Sequence, residues 1–380
     1  MLWTDTDTLN VPYMNTPEKQ TLYVPIKSPK AETVYKLRLN SQNTCFSDAY
    51  KKESAIRFEI PEIYELANII LYLTECSQKT DNHPSHKTYA KRVEQYFYPF
   101  KNHPLIKGLN KKCQAADYFD TYYDFRENSL CYRFQEDFLQ YDTYYKWLVF
   151  SKEEESTLFR NLAYLVQDFA TKSNFRAFYQ ANQAYYDKLI AQQKQYMPIE
   201  QMKTWLEQEF PQRIQSYKVV FSPLIDGSHS TQKFYSSDDN FVECLMFINS
   251  AEDTASKKQF SEKEKEGLQS GIIFTEIDHN YVNAMTRKHI DIMKTVFSDK
   301  THWATEKGLK GYDSAYRVFN EYMTHALFCL YIQEHYAPKE AKTIIKKRID
   351  LMNWRGYPKF EAFNDILLSK FHKDLSLIHI

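Results

Sequence analysis

Residues 271–286, GIIFTEIDHNYVNAMT, place a glutamate and a histidine three residues apart directly behind a short apolar run. A helix that reads H-E-x-x-H holds zinc between two histidines on one face, and its glutamate activates water. Here the frame is T-E-I-D-H. Glu276 and His279 stand where that pattern needs them, and Thr275 takes the place of the first histidine. The run 271–274 is strand-like in length and character. If a helix covers 275–283, Glu276 and His279 share a face, as a metal ligand and its neighbouring base must. Asp278 lies about 100° around the axis from His279 and points elsewhere. Ile272, Ile273, Phe274, Ile277 and Val282 would bury the segment, and buried charges are costly unless paired or metal-bound. The plainer alternative is a hydrogen-bonded Glu–His pair that only fastens the helix.

Further along, FNEYMTHALFCLY (319–331) sets Glu321 and His325 at i and i+4 in a strongly apolar helix. Catalytic zinc sites use three protein ligands and a water, and a carboxylate is a common third ligand. Glu321 follows His279 by 42 residues (321 minus 279) and suits that place. His325, one turn on, either replaces the missing histidine or orients Glu321 as an outer partner. His229, in the polar segment IDGSHSTQKFYSSDDN, is a further candidate ligand. In the hydrolytic reading Glu276 is the general base for a zinc-bound water. Tyr281, Tyr322 or His325 supplies the donor to the oxyanion.

Composition narrows the classes. Lys plus Arg equals Asp plus Glu at 49 each, so no overall field calls for nucleic acid or an anionic membrane. Six cysteines, at 45, 76, 113, 131, 244 and 329, form no C-x-x-C pair, so neither a disulfide scaffold nor a thiolate zinc site is expected. Cys244 and Cys329 sit in apolar runs and read as core. No window approaches the roughly 20 apolar residues of a membrane span. The start, MLWTDTDTLN, has neither a basic n-region nor an apolar h-region, so no signal peptide is read there.

With 7 glycines against 30 tyrosines and 26 phenylalanines, the 380-residue chain favours long helices over a loop-rich sandwich. TLYVPI (21–26), TVYKLRL (33–39) and IRFEI (56–60) read as strands. Pro61 then opens a helix over 61–76. Ser151 and Glu154 form a capping box that starts a helix reaching about residue 172. Helices follow at about 175–196 and 198–210, then two strands, YKVVFSP (217–223) and FVECLMFI (241–248). The second strand is available, on this reading, to pair with an extended substrate. The Lys/Glu-rich stretch 253–266 reads as a solvated surface. Helices are expected at about 285–298, 313–336, 339–353 and 359–373. The tyrosine clusters YFDTYYDF (118–125) and FYQANQAYYDKL (178–189) have helical spacing and read as core more readily than as a binding groove. The expectation is an α+β fold. A β-rich N-terminal extension (1–55) precedes a single, mostly helical domain (56–380) around a small mixed sheet, with the site region at 217–330.

SPLIDGSHST, FTEIDHNYVN, FNEYMTHALF and WRGYPKF, in that order, together with IPEIYELANIILYLTE (60–75), resemble a bacterial domain-of-unknown-function family with the character of gluzincin-type zinc metallopeptidases. The resemblance covers most of the chain from about residue 56. It implies a zincin-like domain, a zinc cofactor, a peptide or protein substrate and export to the periplasm or beyond. It assigns Glu276 as general base and His279 and Glu321 as metal ligands. Two rivals stand beside that enzyme: a zincin-like pseudoenzyme that binds peptide or glycan, and an interaction module in which both Glu/His pairs only hold helices together.

Overall fold

The computed structural model describes residues 46–374 apart from 54, 79–82, 116–117, 142–144, 146–157, 237–238 and 311. Five short stretches before them (2–3, 8–9, 20–28, 31–39 and 43–44) are also described. The fold is mostly helical around a small mixed sheet, an α+β arrangement.

Two strands, β1 (Gln20–Ser28) and β2 (Ala31–Leu39), pair antiparallel with Leu22 opposite Leu37. The central sheet has five strands. They are β3 (Asn43–Thr44), β4 (Ile56–Glu59), β5 (Ser216–Ser222), β6 (Ser230–Ser236) and β7 (Val242–Asn249). Their order across the sheet is β3-β6-β7-β5-β4. Only the β6–β7 contact is antiparallel; β7 runs parallel to β5, and β5 parallel to β4. β7 is buried along Glu243–Ile248, which is why it reads as one apolar run without alternation. It lies inside the sheet, paired on both edges. The expectation that this strand would receive a substrate is corrected: its backbone groups are already used.

Asn43–Thr44 pair with Tyr235–Ser236, and Phe46 and Tyr50 are buried in the main core. The chain therefore joins the main body from residue 43. A helix α1 (Glu62–Tyr72) follows β4 and is buried on nearly every side, including Tyr64, Glu65 and Leu66. The helix expected from the Ser151 capping box begins outside the described residues and is seen from Leu158 to Lys172. The next expected helix is two, Phe175–Ala181 and Gln183–Tyr196, broken at Asn182. The tyrosine clusters go inward: Tyr122, Phe125, Phe178 and Tyr186 are core residues.

The strand-like reading of 271–274 is overturned. A single helix α2 runs from Glu262 to Lys288. Ser261 caps it: its hydroxyl accepts from the Glu264 N–H, and the Glu264 carboxylate accepts from the Ser261 N–H. Ile273, Ile277 and Tyr281 are fully buried at four-residue spacing, so the apolar run is one stripe of a long helix. Four apolar residues suit either structure, and the cap ten residues upstream decides. Three helices complete the region: α3 (Ala315–His335), α4 (Pro338–Arg355) and α5 (Phe360–Asp374). α2 packs against both α3 and α4, which places its Glu276 face opposite Glu321 and the end of α4.

Candidate functional site

Helix packing brings His279 and Glu321 together. His279 Nε2 lies 3.6 Å from Glu321 Oε1, and the Glu321 side chain is 2% exposed. His325 Nε2 is 3.7 Å from Glu321 Oε2. Arg355, the last residue of α4, presses hardest on the carboxylate, with Nη2 2.7 Å from Glu321 Oε2. Tyr312 also hydrogen-bonds Glu321. Burial alone would raise the Glu321 pKa; Arg355, His325 and His279 together outweigh it and hold the carboxyl down at about 2. Glu321 is thus a buried anion with its counter-cation supplied by the protein.

His325 is enclosed by arginines. Arg355 Nη1 sits 2.7 Å from Nε2, and Arg348 Nη1 sits 3.0 Å from Nδ1. A neutral imidazole has one acceptor nitrogen, so only one of these contacts is a hydrogen bond donated by arginine. Burial first, then the two guanidiniums, lower its pKa to about 3 despite Glu321. Both ring nitrogens face cationic donors, and neither points into open space that a metal ion would share. The geometry fits the role of orienting Glu321 better than that of a ligand.

Glu276 is half-buried, and burial, with Glu321 adding to it, raises its carboxyl to about 8. Arg355 opposes that shift, and Glu127 is close enough to add to it. Burial lowers the His279 pKa, with Glu321 and Asn283 opposing. Asp278 is fully buried with no ion pair among the described residues; burial raises its pKa, with Glu276 and Glu321 adding and Arg348 opposing. Thr275 turns its hydroxyl onto the Gly271 and Ile272 carbonyls at 3.3 and 3.0 Å, so it is spent on the helix backbone.

Tyr281 and Tyr322 lie elsewhere. The Tyr281 hydroxyl bonds the Tyr217 hydroxyl at 2.6 Å and Glu207 at 3.4 Å, among core groups beside the sheet. Tyr322 donates to the Trp303 carbonyl. His229 lies near Arg355; its buried Nε2 has no hydrogen-bond partner among the described residues, and burial with Arg126 and Arg355 lowers its pKa to about 4. Sequence reasoning missed Arg348, Arg355 and Tyr312. A Lys/Arg-bearing helix end has no distinctive spacing, so only the fold reveals that it ends on Glu321.

Zinc was expected from the motif and the resemblance, and the donor set does not fit it. Among the described residues no group of three His, Cys, Asp or Glu is disposed to hold a metal ion. Thr275 is turned away, and Arg355 occupies the open side of Glu321. No family model matches this chain, and no curated protein or solved structure matches it.

Proposed function

We propose that the protein is a zincin-like scaffold that binds extended peptide without a catalytic metal. The observation that carries the reading is the Arg355 guanidinium, 2.7 Å from both Glu321 Oε2 and His325 Nε2. In a zinc peptidase the divalent ion would neutralise that carboxylate; here a permanently charged side chain does so, and it cannot release or activate water. Burial, with Glu321 adding to it, raises the Glu276 carboxyl and so favours its hydrogen-bond-donating form over the base that the hydrolytic reading needs.

Support for a peptide comes from β6. Ser230–Phe234 pair with β7 on one side and, among the described residues, with no strand on the other. That edge runs beside α2, where Lys233 Nζ reaches the Asn280 carbonyl at 3.4 Å. An extended segment laid along the edge would gain main-chain hydrogen bonds and pass Glu276 and His279.

The test combines metal analysis with peptide binding. Wild type, incubated with zinc and desalted, is expected to keep well under one zinc per chain and to leave casein uncut. Short fluorescent peptides are expected to bind with raised anisotropy and stay intact. Thr275→His alone should gain little, since Arg355 still covers Glu321; Thr275→His with Arg355→Ala should approach one zinc per chain. Stoichiometric zinc in wild type that His325→Ala removes would sink the metal-free reading in favour of a hydrolase with a relocated ligand. Failure of every peptide to bind would leave the interaction module.

A further inference from the structure

Behind the Glu321 cluster lies a separate cavity of about 550 Å³, walled by α2, α3, α4 and the segment after β7. Arg348 is part of its lining and is 7% exposed. It touches a neutral imidazole, with Nη1 3.0 Å from His325 Nδ1, and the Phe328 ring, 4.3 Å from the guanidinium carbon. No carboxylate of the described residues comes within 4.0 Å of it; Asp278 acts only at longer range. Taking a guanidinium out of water without an anion is costly. Arg355, in the same cluster, has Glu321; among the described residues Arg348 has no such partner.

The walls say what would complete it. Lys347 and Lys257 are exposed at the same cavity and make no ion pair among the described residues. The one acidic wall residue, Asp253, is held by Lys87 at 2.9 Å. The rest is largely apolar, including Ile272, Phe328 and Ile344. The volume falls in the range of small-molecule sites, about 300–1,000 Å³. We propose that this cavity binds a small organic anion, its carboxylate or phosphate on Arg348 and its apolar body along Phe328 and Ile344. A planar guanidinium suits either acid group through paired N–H donors. Because Arg348 also touches His325, a bound anion would share the guanidinium with the Glu321 cluster. The inference does not depend on whether that cluster binds peptide or zinc.

Calorimetry in chloride buffer, with inorganic phosphate, citrate and octanoate as probes, tests it. At least one is expected to bind saturably at one per chain; octanoate without phosphate identifies a carboxylate with an apolar body, and phosphate without octanoate a phosphate ester. Arg348→Met keeps the buried stem and removes the charge. It should weaken binding by about tenfold or more while leaving the ligand-free melting temperature equal or higher. Lys347→Ala with Lys257→Ala, both surface changes that fold safely, should weaken binding about threefold and flatten its salt dependence. No saturable binding of any probe, or unchanged affinity in both variants, overturns the proposal. So does a large loss of ligand-free stability in Arg348→Met with the lysine variant unchanged, since the arginine would then be purely structural.

Discussion

The Arg355–Glu321 contact is the residue-scale feature with the largest consequence. A 2% exposed carboxylate that loses its ion-paired arginine becomes a poorly compensated buried charge. Arg355→Met should therefore destabilise the fold by about 3 kcal/mol, and Glu321→Gln in that background should recover much of it. Urea midpoints of the two single variants and the double give the coupling; simple additivity would show the pair to be incidental. Glu65 on α1 offers a pH test far from the site. Burial raises its carboxyl to about 7, with hydrogen bonds from Ser222 and Tyr89 opposing. The folded state keeps a proton that the unfolded chain loses near 4.5, so this contribution is complete below 4.5 and is gone once pH passes about 7. Glu65→Gln should remove a fall in stability on the order of 3 kcal/mol between about pH 4.5 and pH 7. An unchanged slope in chemical denaturation would rule that out.

At the scale of elements, α2 is held by its cap and by what it admits. Ser261→Ala should cost about 1 kcal/mol, read as a lowered denaturation midpoint. Gly271 is more telling. Alanine there would gain up to about 1 kcal/mol in helix propensity. Its Cβ, however, would come 1.8 Å from Arg348 Nη2 and 2.8 Å from Phe328 Cζ. Crowding of that kind costs about 1–3 kcal/mol, so the packing term wins and Gly271→Ala should be less stable than wild type. A stabilised variant would mean that Arg348 moves freely. The notch at Gly271 is what lets Arg348 reach His325. Sequence reading found α3, α4 and α5 to within a few residues because their stripes are long. It missed α2's continuity because a charged first turn and a four-residue apolar run look like two elements.

For the whole molecule, β4 and β5 are neighbours in the sheet although well over a hundred residues separate them. A fragment beginning at Gln212 would leave Tyr217 and Val219–Val220, all fully buried, as a bare sheet edge. Such a fragment should lack near-UV circular dichroism and self-associate, since unpaired apolar edges do. A monomeric fragment with sharp near-UV bands would show the chain before residue 212 to be dispensable. Equal numbers of acidic and basic residues leave no net repulsion, so solubility should pass through a minimum near neutral pH.

Composition and periodicity by themselves determined the α+β character, the helix-rich content, the inward tyrosines and the candidate pair His279 and Glu321. These follow from local rules: a buried stripe repeats every three to four residues whatever it later packs against. Tertiary structure alone decided the chemistry of that pair. Glu321 meets Arg355 because α3 and α4 turn back on each other, and Arg348 reaches His325 because Gly271 has no side chain. Thr275 marks the boundary between the two. Its identity is plain in the sequence, but that its hydroxyl is spent on the backbone while an arginine covers the carboxylate is a matter of distances between helices, and charges interact through distance, not through order along the chain.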